Sequence, residues 1–168
     1  MPEYSLGFSK KLIEAACIIS QKYIDDVDAV RTILYLSSLS SEISLKALLE
    51  QAGVPVSDIK NLRHSLGELL THVGKCQIQE EVTSGTRAWV PATRIRSIVV
   101  DHRYGDATVG KILTGEECGA SNYPNELRYG DRLRDYSVEL KLGAAKAVVE
   151  WATEHWNEIR LSGRQPRA

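Results

Sequence analysis

The sequence predicts a mainly α-helical domain, built as an antiparallel helix bundle with one irregular stretch before the last helix. Three observations predict it. Apolar residues recur at helical spacing over about 6–23, 26–52 and 135–160. Ser65-Leu66-Gly67-Glu68 reads as a capping box that opens a further helix. Gly53 followed by Pro55 reads as a helix stop.

The first helix is expected from about Leu6 to Tyr23, with Phe8, Leu12, Ala16, Ile19 and Tyr23 as its core-facing stripe. Asp25, Asp26 and Asp28 then favour a helix start, because carboxylates complement the positive end of the helix dipole. The second helix should run from about Asp26 to Ala52, burying Val27, Val30, Leu34, Leu45, Leu48 and Ala52. Its serine-rich middle, Ser37 to Ser44, leaves room for a close neighbour. The third helix starts at Ser65, buries Leu66, Leu69, Leu70 and Val73, and ends near Gly74.

From Lys75 to Asp131, glycine and proline interrupt every pattern. Arg94 to Val100 fits a short helix or a strand equally. The last helix is expected from about Asp135 to Arg160, with Val138, Leu142, Ala145, Val149, Ala152, Trp156 and Ile159 inward. Gly143-Ala144-Ala145 permits close packing there. The tail, 162–168, should fray.

Composition narrows the functional classes. The 168 residues suit one domain, with 43% hydrophobic and 26% charged residues. The net charge of −1 argues against a protein that coats nucleic acid, while leaving room for a local basic patch. Cys17, Cys76 and Cys118 form no C-x-x-C pair, so reduced thiols are expected and a zinc site is not. No stretch approaches the roughly 20 apolar residues of a membrane span, and the amino terminus has no secretory pattern. These points lead to the expectation of a cytoplasmic protein with no membrane partner, no metal and no cofactor.

The run Ser41-Glu42-Ile43-Ser44-Leu45-Lys46-Ala47-Leu48-Leu49, then Gly53, then His64-Ser65-Leu66-Gly67-Glu68-Leu69-Leu70, resembles the HEPN superfamily. Many members carry Glu-x-x-Leu-Lys-Ala-Leu-Leu, a short loop and a His-Asp-Leu helix start. Ser65 stands where Asp is usual. Asn125-Glu126-Leu127-Arg128-Tyr129-Gly130-Asp131 resembles the family's Glu-Leu-Arg-Tyr segment before its last helix. The segment from about 76 to 123 has no counterpart and reads as an insertion. The resemblance implies a four- to five-helix up-and-down bundle over 1–168 that forms a homodimer. It also implies binding of a nucleotide, RNA or a nucleotidyltransferase-like partner protein, in a defence or toxin–antitoxin setting.

Many members of that family are metal-independent ribonucleases with an Arg-x(4–6)-His motif at the last helix. Here Arg96 and His102 have the spacing. They lie in the insertion, however, and random placement of 12 arginines and 4 histidines in 168 positions yields such a match about as often. The enzymatic alternative therefore names Arg96 as the phosphate fork and His102 as acid or base. An anion site is expected from Arg128, Tyr129, Arg132 and Arg134, with His64 beside a helix start as a ligand contact or a structural hydrogen-bond partner. Glu42 should be buried mid-helix, paired with Lys46 or Arg128 as a structural polar core. Glu68 and His72, four apart, can touch on one helix face.

Overall fold

The computed structural model describes residues 2–23, 26–104, 107–115, 127 and 137–163. It is mainly helical, with a small antiparallel sheet. Helix α1 spans Leu6–Tyr23 and α2 spans Val27–Ala52. Asp26 caps α2, its carboxylate accepting from Ala29 N at 2.8 Å. Gly53, at φ +95°, closes it by donating to the Glu50 and Leu49 carbonyls. A short helix absent from the sequence reading, α3, covers Val56–Asn61 directly after Pro55.

Helix α4 spans Leu66–Gly74, with Ser65 Oγ accepting from Glu68 N at 3.3 Å. Only half of the expected capping box forms, because Ser65 N donates to the Leu62 carbonyl instead. Helix α5 covers Val109–Thr114 and α6 covers Val138–Glu154.

The serine stripe works as the sequence suggests. Ser9 Oγ lies 2.7 Å from Ser44 Oγ, and Ser40 Oγ donates to the Ser9 carbonyl at 2.8 Å. These contacts need two backbones close together, which only small side chains allow. They also correct the expected face of α1. Ala16 is buried and Ile19 packs against a core cluster, as expected, but Ser9 and Ile13 are buried beside them, while Phe8 and Tyr23 are exposed at 53% and 59%. Docking on Ser9 turns the helix by about a residue from the stripe that hydropathy favours. Val27 is likewise exposed, at the first turn of α2.

Helix α1 runs antiparallel to α2, since Ser9 meets Ser44 and the Glu50 carboxylate takes the backbone N–H groups of Glu3 and Tyr4. The end of α2 is tied to the segment that follows α6, with Leu161 N donating to the Ala52 carbonyl at 3.1 Å. The larger core joins Leu45, Leu48 and Leu49 of α2 to Leu69 and Leu70 of α4 and Val148 and Trp151 of α6. A smaller one joins Ile13 and Ala16 to Ile33, Leu142 and Ala145.

The insertion is more regular than expected. Strand β1, Gln77–Thr83, pairs antiparallel with β2, Thr86–Pro91, Ile78 opposite Val90. Gly85, at φ +80°, turns the hairpin. A 3-10 turn, Ala92–Ser97, then leads to β3, Val99–Asp101, so Arg94 to Val100 is helical turn and strand in succession. Strand β3 pairs with β4, Ala107–Thr108.

The last helix is shorter than predicted at its carboxyl end. Beyond it the chain forms β5, Ile159–Arg160, which pairs with β1, Ile159 opposite Ile78. Ile159 is buried, as expected, but in a strand. Sheet pairing and the bond to Ala52 outweigh helical periodicity at this end. Gly143 meets its predicted use: a Cβ there would lie 2.5 Å from Val100 Cγ1.

Two substitutions test this packing. Leu48 is fully buried, so Leu48→Ala is expected to cost about 2–5 kcal/mol. Gly143→Ala forces a methyl onto the stiff Val100 side chain, and is expected to cost about 1–3 kcal/mol. Urea unfolding followed by circular dichroism measures both. Unchanged midpoints would contradict the packing described.

Candidate functional site

The site begins with a carboxylate that folding removes from water. Glu42 is 4% exposed and Lys46, one turn on, is 6% exposed. Their Oε1 and Nζ atoms are 2.7 Å apart. Burial of either ion alone is costly, and the pair offsets that cost by direct contact. The second Glu42 partner is His64, whose Nδ1 lies 3.1 Å from both carboxylate oxygens. An ionised carboxylate only accepts, so Nδ1 carries the proton and Nε2 is the basic nitrogen of the neutral ring. Lys46 Nζ also stands 5.4 Å from the centre of the Tyr4 ring. Burial pushes the Tyr4 phenol above its ordinary value, against the pull of Lys60.

His64 is not enclosed. Its side chain is 55% exposed and lines a cavity of about 780 Å³ at the start of α4, with Arg63, Glu68, Thr71, His72 and Thr114. The chain reaches it through Arg63, at φ +50°, the one non-glycine residue with positive φ among those described. A left-handed arginine is strained by about 1 kcal/mol or more. That conformation lets the α3–α4 turn deliver Arg63 and His64 side by side to the cavity lip. Its backbone N–H donates to the Lys60 carbonyl at 3.0 Å, while the exposed side chain has no hydrogen-bond or ion-pair partner among the described residues.

His72 continues the row along α4. Its Nδ1 donates to the Glu68 carbonyl at 2.9 Å. The pairing of Glu68 with His72 thus runs through the backbone. Arg96 joins from the 3-10 turn, Nη1 donating to Thr71 Oγ1 at 3.1 Å. Its backbone is held tightly, since a Cβ on Gly110 would lie 2.9 Å from the Arg96 carbonyl oxygen. Arg63, His64 and His72 thus line one cavity with Glu68, and Arg96 is bonded to its Thr71 wall. Such a set binds a phosphate through forked and charge-assisted hydrogen bonds.

The structure sorts the remaining sequence candidates. Glu42, Lys46 and His64 come together, and Lys46 pairs with Glu42 at 2.7 Å; Arg128, the other partner considered, lies outside the described residues. His102 lies on a second 3-10 turn, His102–Tyr104, and is exposed. It sits beside Asp101, whose carboxyl Arg103 holds below its usual range through a forked contact. Arg96 and His102 therefore belong to different surroundings: α4 for the first, the Asp101–Arg103 turn for the second. Arg128, Tyr129, Arg132 and Arg134 lie outside the described residues. Burial pushes the Cys76 thiol up to about 11, so it is no thiolate nucleophile at neutral pH. Among the described residues no group of three or more metal-ligating side chains converges.

Sequence reasoning missed Arg63 and undervalued His72. The signal for both was their position. Arg63 immediately precedes the His64-Ser65 helix start, and His72, on α4, lines the same cavity as His64.

Removing the carboxylate should expose its role. Glu42→Ala leaves Lys46 buried without its counter-ion and is expected to destabilise the fold by about 3–5 kcal/mol. Glu42→Leu with Lys46→Met should recover most of that loss, as read by chemical denaturation. A double variant no more stable than Glu42→Ala would contradict the pairing. Comparison with known protein families, characterised proteins and solved structures finds no match to this chain.

Proposed function

We propose that this protein is a HEPN-like, dimeric helical protein that binds a nucleotide or RNA by its phosphate in the cavity at the start of α4. The observation that carries this reading is the convergence on that cavity of Arg63, His64 and His72, with Arg96 bonded to its Thr71 wall. The Arg63 side chain has no competing partner among the described residues and stands on a strained backbone, a combination that suits a ligand contact. The resemblance of the Glu42–Leu49 and His64–Leu70 runs to the HEPN superfamily supports the same class. It extends the reading to a cytoplasmic protein acting beside a partner protein, such as a nucleotidyltransferase, in a defence or toxin–antitoxin pair.

One observation favours a second reading, a metal-independent endoribonuclease using Arg96 and His102. Arg96 already reaches the cavity wall, where a scissile phosphate would sit. Cleavage of RNA in the presence of a chelator, lost in His102→Ala, would support it; equal cleavage by both proteins would remove His102 from the mechanism.

The binding reading is tested by calorimetric titration with adenosine monophosphate and a short single-stranded RNA. The wild-type protein should bind at least one, more weakly at high salt. Arg63→Ala should weaken binding about ten-fold or more, the scale of a hydrogen bond to a charged group, without changing thermal stability. No heat from either ligand, or equal binding by Arg63→Ala, would overturn it.

A further inference from the structure

The segment before α1 lies beside the residues that end α6, and a second cavity of about 420 Å³ opens between them. It shares no lining residue with the cavity at α4. Its volume suits a small-molecule site. Tyr4, Leu6 and Trp156 supply its apolar walls, and all three also pack against the larger core. The Glu50 carboxylate fixes the segment by accepting from Glu3 N and Tyr4 N, each at 2.9 Å. Lys60 holds it again through Glu3 at 2.8 Å. The walls are thus set before any ligand arrives, which lowers the ordering cost of binding.

The polar groups of this cavity are mostly donors. Lys10 is half-buried on its wall. The carboxylate one turn on, Glu14, is taken by Lys11 at 2.7 Å. Neither the Lys10 ammonium, the Trp156 indole N–H nor the Asn157 amide has a hydrogen-bond partner among the described residues. The Thr153 hydroxyl already donates to the Val149 carbonyl at 2.7 Å. Among the described residues no carboxylate lines the cavity. Glu14, Glu150 and Glu154 share a neighbouring cavity with Lys10, which confines an incoming anion to the Trp156 side. An ammonium partly withdrawn from water is stabilised by a counter-ion, and here the described chain supplies none.

We infer that this cavity binds a small aromatic carboxylate, its ring against Tyr4 and Trp156 and its carboxylate on Lys10. A single cation matches the single charge of a carboxylate, whereas a phosphate dianion would keep one charge unmatched. Contact with two aromatic rings favours an aromatic ligand over an aliphatic one, by offset or edge-to-face stacking. The inference is independent of the phosphate site at α4, and neither depends on the other.

Calorimetric titration with phenylacetate and naphthaleneacetate tests this. Their amides keep the ring and lose the charge, while acetate keeps the charge and loses the ring. At least one aromatic acid should bind, its amide about ten-fold more weakly, the scale of a hydrogen bond to a charged group. Acetate should give no measurable heat. Lys10→Met keeps the apolar stem, so it should bind acid and amide alike without a change in thermal stability. Lys11→Met, which removes the exposed neighbouring charge, should bind as the wild type does. Should Lys10→Met fail to fold, the acid, amide and acetate series on the wild-type protein decides alone. No heat from either aromatic acid overturns the inference. Equal binding of acid and amide by the wild type overturns it too, as does a folded Lys10→Met variant that still prefers the acid.

Discussion

A carboxylate buried in a helix bundle needs partners, and among the described residues Glu42 meets them from two directions. Lys46 neutralises it from the same helix. His64 binds it from the turn before α4. The second bond reaches across the fold, so it fixes where α4 begins relative to α2. Everything that lines the cavity follows from that position, because Glu68, Thr71 and His72 lie on the two turns of α4 that His64 anchors. The same bond sets the imidazole with its basic nitrogen away from Glu42.

The rest of the chain builds around this anchor by close approach. Serines let α1 lie against α2 at Ser9, and the carboxylate of Glu50 ties the amino-terminal segment down beside Lys46. Glycines do the same on the opposite side. Gly143 admits Val100 of β3 against α6, and Gly110 admits the Arg96 backbone against α5. The insertion is therefore structural as well as local. It carries Arg96 across to Thr71 on α4, a residue distant in sequence, and adds a basic group to a cavity that α4 alone would leave more acidic.

What the sequence revealed depended on whether the deciding force was local. The start of α2 at Asp26, its stop at Gly53 and the start of α4 at Ser65 were legible, because each depends on caps within a few residues. The Glu42–Lys46 pair was legible from its i, i+4 spacing, and His64 from a motif resemblance. The face of α1 was not. It has two apolar stripes, and hydrogen bonds from Ser9 to distant serines choose between them. The β1–β2 hairpin was hidden because only Ile78 of β1 is fully buried, leaving no alternating pattern to read. The end of α6 was misread because Ile159 satisfies a helical period and a strand pairing equally. Arg63 was invisible as a site residue, since its left-handed backbone is imposed by the chain on either side.

The most direct measurement of the central claim is nitrogen-15 NMR of the His64 ring over a pH titration. If Glu42 accepts from Nδ1, that nitrogen stays protonated on both sides of the ring's titration, and only Nε2 gains or loses a proton. A neutral His64 protonated at Nε2, with Nδ1 bare, would contradict the arrangement on which the cavity depends.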